Sequence, residues 1–209
     1  MSKKVLFLLI AVLTASYVQA QVNFGVRAGL NYSNKIFFVP AGAASMSTEM
    51  KPGFQAGIIA ESNTTDITSF MQSGLLFVSQ ECKFKDGSLL GYSNETLNMT
   101  YLRLPLNYVY KKDLSGIKLL LQGGINLDFA LSCKINGEKR GEKIEEKVDF
   151  GNTMMSRIES GVGVGAGLQF GNFQAVLEYN FGYNWGKSDS KIMMFNNGPA
   201  FNISYLFGK

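Results

Sequence analysis

The chain has 209 residues, a length that favours a single domain. Apolar residues make up 46% of it, which argues against a disordered chain. Charged residues make up only 17%, below the roughly 25% that is typical of a soluble domain. The formal net charge is +4, and it is +2 without Lys3 and Lys4, so charge alone gives no indication of nucleic acid binding.

The N-terminus has the organisation of a secretory signal peptide. Two lysines precede an apolar run at 5–13, and Val-Gln-Ala at 18–20 matches the small-residue site that signal peptidases recognise. The apolar run is too short to cross a membrane as a helix, which needs about 20 residues. We therefore predict a cleaved signal peptide at 1–20 and one domain at 21–209.

The rest of the chain consists of segments in which apolar and polar residues alternate, as in β-strands whose two faces meet different environments. In the first segment Phe24, Val26 and Leu30 share one face, and Arg27 lies on the other. Eight segments have this pattern: 22–32, 53–61, 69–80, 97–110, 117–130, 158–170, 173–183 and 201–207. Each is about long enough for the 9–11 residues with which a tilted strand crosses a bilayer.

The connections between these segments differ systematically in length. Three are long (33–52, 81–96 and 131–157), the ones between them are short (62–68, 111–116 and 171–172), and the last, 186–194, is of medium length. Transmembrane barrels have short periplasmic turns and long extracellular loops, and an even strand number returns both termini to the periplasm. The sequence thus predicts an all-β fold, an eight-stranded antiparallel up-and-down transmembrane barrel in the outer membrane.

A soluble periplasmic barrel of the lipocalin type, binding a lipophilic ligand, would also alternate and remains the alternative. The polar faces favour the membrane because they carry Gly, Asn and Gln rather than dense Lys and Glu. Aromatic residues near strand ends, as at membrane interfaces, favour it as well. They include Phe24, Tyr32, Tyr108, Tyr110, Phe129, Phe170, Phe173, Tyr183 and Trp185.

Four stretches carry a resemblance to a known family: 24–33 (FGVRAGLNYS), 72–77 (QSGLLF), 101–106 (YLRLPL) and the glycine-rich run 161–168. In this order and spacing the chain resembles the PorT-like family of outer-membrane β-barrel proteins. The resemblance implies an OmpX-like eight-stranded barrel without a cofactor, in a family whose founding member is linked to protein secretion. The chain departs from the pattern at its end, where Gly208 and Lys209 follow Phe207, and at Ser73, where a proline is usual.

The sequence contains no histidine, so catalytic Ser–His–Asp and Cys–His arrangements are excluded and a zinc site is disfavoured. We therefore expect a protein that is not an enzyme, with no catalytic, cofactor-binding or metal-binding residues. Cys82 and Cys133 could form a disulfide in an oxidising compartment, although two cysteines do not establish one.

Charged residues also fall on the polar parity of the predicted strands. A packed barrel interior tolerates charges only when they are paired, so we predict a structural ion-pair network, with a proton or small-solute path as the alternative. Its members are Arg27, Glu61, Arg103, Lys118, Asp128, Glu159 and Glu178.

The functional hypothesis is a non-enzymatic outer-membrane barrel whose long loops bind a partner, or which assists envelope assembly or secretion. A conducting channel is disfavoured because eight strands leave a lumen that side chains fill. The expected partners are outer-membrane lipid, the outer-membrane insertion machinery during biogenesis and an unidentified loop-binding partner, and not nucleic acid.

Overall fold

The computed structural model describes residues 22–38, 46–64, 67–85, 93–139, 142–148, 150, 156–184 and 193–207. The predicted signal peptide at 1–20 and Trp185 lie outside the described residues. Within the described part, no helix is long and apolar enough to cross a membrane.

Nine antiparallel strands account for most of the described chain. They are β1 (Val22–Phe38), β2 (Met46–Asn63), β3 (Ser69–Phe84), β4 (Ser93–Asp113), β5 (Ile117–Lys139), β6 (Glu142–Lys147), β7 (Ile158–Phe170), β8 (Phe173–Asn184) and β9 (Met193–Leu206). Eight of them close into a ring, because β1 pairs with β9 and β4 pairs with β5. The sixth, β6, pairs only with the last residues of β5, outside the ring. The predicted eight-stranded barrel is confirmed. Each predicted segment lies within a ring strand, except that Phe207 follows the end of β9.

Tight turns connect neighbouring strands at one end of the barrel, which we call the short-turn end. The opposite end is the long-loop end. Gly171 has φ +56° in the two-residue link between β7 and β8, and Gly116 has φ +102° just before β5. Glycine adopts positive φ without the steric cost that a Cβ would add. These glycines therefore allow neighbouring strands to reverse direction within a few residues.

Along the middle of the barrel, apolar side chains point outward and polar side chains point into the lumen. Phe24, Ile58 and Leu177 are 59%, 62% and 60% exposed, whereas Arg27 and Gln55 are 3% and 2% exposed. A soluble lipocalin-like barrel would have the reverse arrangement, with its apolar faces around the ligand. The outward apolar surface, called here the apolar band, is suited to lipid.

The polarity of the two faces reverses towards the long-loop end. On β3 the outward face changes from Leu75 and Phe77 to Glu81 and Lys83, and the inward Cys82 is fully buried. We call this region the distal barrel; it comprises 33–38, 46–53, 78–84, 93–101, 132–139 and 142–147. Its interior is an apolar core whose buried members include Phe37, Val78, Cys82, Phe84, Leu97, Met99, Cys133 and Ile135. Phe150 and Met194 join this core from outside these ranges.

A bulge accompanies this reversal on β5. Thr100 pairs with Ser132 and Tyr101 pairs with Ala130, so Leu131 is an extra residue on β5. Odd-numbered residues of β5 therefore face outward as far as Phe129 and inward from Cys133 onward. One apolar parity thus serves the lipid-facing surface first and the distal core afterwards.

Candidate functional site in the barrel lumen and at its long-loop end

The lumen brings together six of the seven charged residues predicted to lie there. All six are at least 91% buried: Arg27, Glu61, Arg103, Asp128, Glu159 and Glu178. The seventh residue, Lys118, does not lie in the lumen as predicted, because its side chain is exposed at the short-turn end. It has the inward parity but lies only one residue after β5 begins, at the rim of the barrel.

Two arginines occupy the centre of the lumen. Arg103 donates from Nε and Nη2 to the two carboxylate oxygens of Asp128, both at 2.7 Å. Arg27 lies 3.5 Å from Glu178 and donates to Ser204 at 2.9 Å and to Gln72 at 2.5 Å. These hydrogen bonds offset the cost of burying the two guanidinium groups.

Glu61 is the hub of the network towards the short-turn end. Lys111 donates to its Oε1, and Gln72 and Gln174 each donate to its Oε2 at 3.0 Å. Lys111 also donates to Gln169 at 2.9 Å. The Glu61 carboxylate is thus bonded from three sides by β3, β4 and β8.

Glu159 plays the corresponding part towards the long-loop end. It accepts hydrogen bonds from Tyr101 at 3.2 Å and Asn196 at 2.9 Å, and it lies 3.9 Å from the Lys35 ammonium. Lys35 is fully buried and donates to Tyr101 and Gln80 at 3.0 and 3.2 Å. This layer lies directly beneath the apolar core of the distal barrel, of which Tyr101 is a member.

Lys35 and Lys111 are charged residues of the network that the sequence analysis missed. Lys35 was assigned to a loop after residue 32, and Lys111 to the short link after residue 110. Both would have been found by extending the inward parity of the first and fourth segments, since 27, 31 and 35, like 103, 107 and 111, keep even spacing. With them, each of the four buried cations among the described residues pairs with a carboxylate.

The lumen is packed rather than open. One cavity of about 20 Å³ lies between Asn31, Arg103, Asp128 and Glu159. A second, of about 10 Å³, lies between Arg27 and Glu178. Each has room for about one water molecule, so the geometry supports a structural network and offers no continuous solute path along these cavities.

The glycines of β7 provide the space that the network needs. A Cβ built at Gly163 would lie 2.7 Å from Asn180 Oδ1, and one at Gly165 would lie 3.0 Å from Glu178 Cγ. Because these glycines of β7 have no side chain in the lumen, side chains from β5 and β8 can contact each other across β7. Among these is the Asn126–Asn180 hydrogen bond of 2.9 Å. The glycine run therefore follows from crowding in the lumen.

The two cysteines do not form the disulfide considered above. Both thiols are free and buried in the distal core. Cys82 pairs with Leu97 and Cys133 pairs with Met99, so strand β4 lies between them. Two strand spacings amount to about 9.5 Å, whereas a disulfide needs Cα atoms within about 7 Å. Burial raises the pKa of both thiols, that of Cys133 to about 12.

Comparisons with known proteins agree with this geometry. Residues 17–191 match the family model described as "Outer membrane protein beta-barrel domain". The chain belongs to this family. The protein is therefore an outer-membrane β-barrel, and its apolar band is its lipid-facing surface. No curated protein matches the chain.

Several solved structures of outer-membrane proteins resemble the chain at low sequence identity. A major outer membrane protein from Thermus thermophilus has a TM-score of 0.50 and 14% identity, over 90% of this chain and 100% of that one. The outer membrane enzyme PagL has a TM-score of 0.48 and 12% identity, over 86% and 98%. The outer membrane protease OmpT from Escherichia coli has a TM-score of 0.32 and 11% identity, over 91% and 98%.

Two of these structures correct the sequence analysis. The absence of histidine led us to expect a protein that is not an enzyme. This expectation is contradicted, because the outer membrane enzyme PagL and the outer membrane protease OmpT are among the solved structures that the chain resembles. At 11% and 12% identity the likeness is one of fold and assigns no activity to this chain. Within the described residues, no three His, Cys, Asp or Glu side chains are grouped to hold a metal ion.

Proposed function

We propose that this outer-membrane barrel acts through its long-loop end, which presents the distal barrel at the cell surface for binding or for an accessory role in the envelope. In this proposal the lumen network holds the barrel together. The short-turn end and both termini face the periplasm, as in barrels with long extracellular loops. The sequence resemblance adds the PorT-like subfamily and a link to secretion to the proposal.

The observation that carries the proposal is the distal barrel itself. Strands β4 and β5 have 21 and 23 residues, about twice the length that crosses a bilayer. Beyond the apolar band they have a polar outer face and an apolar core, the arrangement of a water-soluble β-structure. A rigid, folded projection of this kind can hold a binding surface in place better than loose loops can.

Sidedness can be tested with two epitope tags. A tag inserted between Lys139 and Glu142 should bind antibody on intact cells. A tag between Gly171 and Asn172 should bind antibody only after the outer membrane is permeabilised. The reverse pattern would contradict the proposed orientation.

The role of the projection can be tested by shortening it. Ile135 and Glu146 are cross-strand partners, so an Asn-Gly turn between them would remove the tip. The change also removes the two outermost β4–β5 pairings, Thr96–Asn136 and Ser93–Glu138, and keeps the rest of the ring closed. The shortened protein should still show heat-modifiable migration in SDS, the sign of a closed barrel. It should nevertheless reproduce the envelope or secretion defect of a strain that lacks the protein. A shortened barrel that fully restores that strain would contradict a role for the tip.

A further inference from the structure

The lipid-facing surface is not smooth: a groove of about 440 Å³ runs across it between β5 and β8. Ile125 and Leu127 form one wall, Phe181 and Tyr183 form the other, and Phe195 lies beside Tyr183 on β9. This volume is within the range of about 300–1,000 Å³ that small-molecule sites occupy.

At the groove, β7 has a small residue, Ser160, between two large ones on the neighbouring strands. Ser160 pairs with Leu127 on one side and with Tyr183 on the other. The next outward residues of β7, Ile158 and Val162, are each 53% exposed, and their larger side chains project further from the barrel than that of Ser160. The missing side-chain volume at Ser160 leaves the backbone of β7 as the floor, where Gly161 and Gly182 also line the groove.

Aromatic contacts hold the β8 wall in place. The rings of Tyr183 and Phe195 are 5.2 Å apart, and those of Tyr179 and Phe181 are 4.8 Å apart. Aromatic pairs at such distances stabilise each other beyond their burial. The groove is thus formed by paired rings, so it should persist when it is empty.

The position of the groove identifies what fills it. Phe129 and Ile158 lie between the groove and the long-loop end, and they are still 45% and 53% exposed apolar residues. The groove therefore opens within the apolar band and is continuous with the surface that contacts lipid. Hydrocarbon chains surround it there.

We infer that the groove is a specific site for one acyl chain of a membrane lipid, in the leaflet at the long-loop end. An annular lipid elsewhere touches a convex barrel wall, whereas a chain in the groove contacts walls on two sides and a floor. It should exchange more slowly and bind more tightly than bulk lipid. The inference goes beyond the proposed surface role and does not depend on it.

The test places a single tryptophan in the groove wall. The sequence has one Trp, so Trp185→Phe removes the background, and Phe181→Trp then reports on the groove. The protein is reconstituted in mixtures of brominated and unbrominated phosphatidylcholine, and the quenching curve gives the affinity of the quenched site relative to bulk lipid. Phe77→Trp in the same background is the reference, since Phe77 is a lipid-facing aromatic residue outside the groove.

The expected result is a several-fold higher relative affinity at the Phe181→Trp reporter than at the Phe77→Trp reference. Ser160→Phe should fill the groove and abolish the difference. Ala166→Phe is the matched control, because Ala166 is an outward residue of the same strand, between Leu121 and Leu177, and it should leave the difference unchanged. Equal relative affinities at the two reporters would overturn the inference, whether or not Ser160→Phe folds. A preference that persists in folded Ser160→Phe would overturn it as well.

Discussion

Arg103 and Asp128 face each other across β4 and β5, and both guanidinium–carboxylate hydrogen bonds measure 2.7 Å. The pair lies near the centre of the lumen, with both residues at least 94% buried. It joins two strands that are adjacent in the ring and close the sheet into a barrel. Substitutions of this pair therefore test directly whether the network stabilises the barrel.

We expect Arg103→Met to lower the free energy of unfolding by about 3–5 kcal/mol, because it leaves a buried carboxylate without its partner. The double variant Arg103→Met/Asp128→Asn should lose less than the sum of the two single variants. Lys118→Met should change stability by less than about 0.5 kcal/mol, since Lys118 is exposed. Urea unfolding in lipid vesicles gives the free energy of unfolding of each of these proteins. Additive losses would contradict coupling between the two residues.

Neighbouring residues of β5 test which face meets lipid. Leu121 is 46% exposed on the apolar band, so Leu121→Lys should cost about 2–4 kcal/mol by placing an ammonium in hydrocarbon. Gln122 points into the lumen and donates to Glu178 at 2.5 Å, so Gln122→Lys should cost less because it meets a carboxylate. The same vesicle assay gives the order. A larger loss for Gln122→Lys than for Leu121→Lys would reverse the assignment of the faces.

Adjacent glycines of β5 test crowding in the lumen. A Cβ at Gly124 would lie 2.7 Å from Asn107 Cα and would also collide with the Leu106 carbonyl oxygen. Gly124→Ala should therefore cost about 1–3 kcal/mol. A Cβ at Gly123 has nothing closer than 3.8 Å, so Gly123→Ala should be neutral or slightly stabilising. Equal effects on the urea midpoint would refute a steric origin.

The buried thiols predict a pH dependence of stability. Burial raises the pKa of Cys133 to about 12, above the value of about 8.5 for an unfolded thiol. The folded protein therefore keeps a proton that the unfolded chain releases. The resulting stabilisation is complete below about pH 8.5 and is lost as the pH rises towards 12.

The decline in the urea midpoint between pH 7 and pH 10 should accordingly be smaller in Cys133→Ala than in the wild type. In Cys82→Ala, the remaining Cys133 should resist maleimide at pH 8 when folded and react readily in urea. Rapid labelling of the folded protein would show that the distal core is open to solvent.

Some features of the barrel were predictable from the sequence and others were not, and β3 shows why. Its outward residues Leu75 and Phe77 indicate a lipid-facing strand. Leu76 and Val78 blurred the alternation because they are apolar residues that face inward, where they are only 2% and 0% exposed. Val78 lies in the distal barrel, whereas Leu76 lies beside Arg103 in the lumen. A single period cannot describe a strand that crosses from membrane into water, since both faces change their preference at that point.

The strand limits failed for the same reason. The segments at 33–52 and 131–157 were assigned to loops, whereas β1, β2, β5 and β6 extend well into them. This placed Lys35 outside the predicted network. The bulge at Leu131 has no signal in the alternation, because the odd residues of β5 stay apolar on both sides of it.

The sequence by itself determined the class of barrel and the number of ring strands. It also determined which face of each strand is apolar and which is polar. These depend on alternation within one segment and on the lengths of the links, which are local properties. Only the tertiary structure decided which charges pair, that β4 separates Cys82 from Cys133, and that a groove opens beside Ser160. Each of these depends on which residues become neighbours across strands, and the register that closes the ring sets those neighbours.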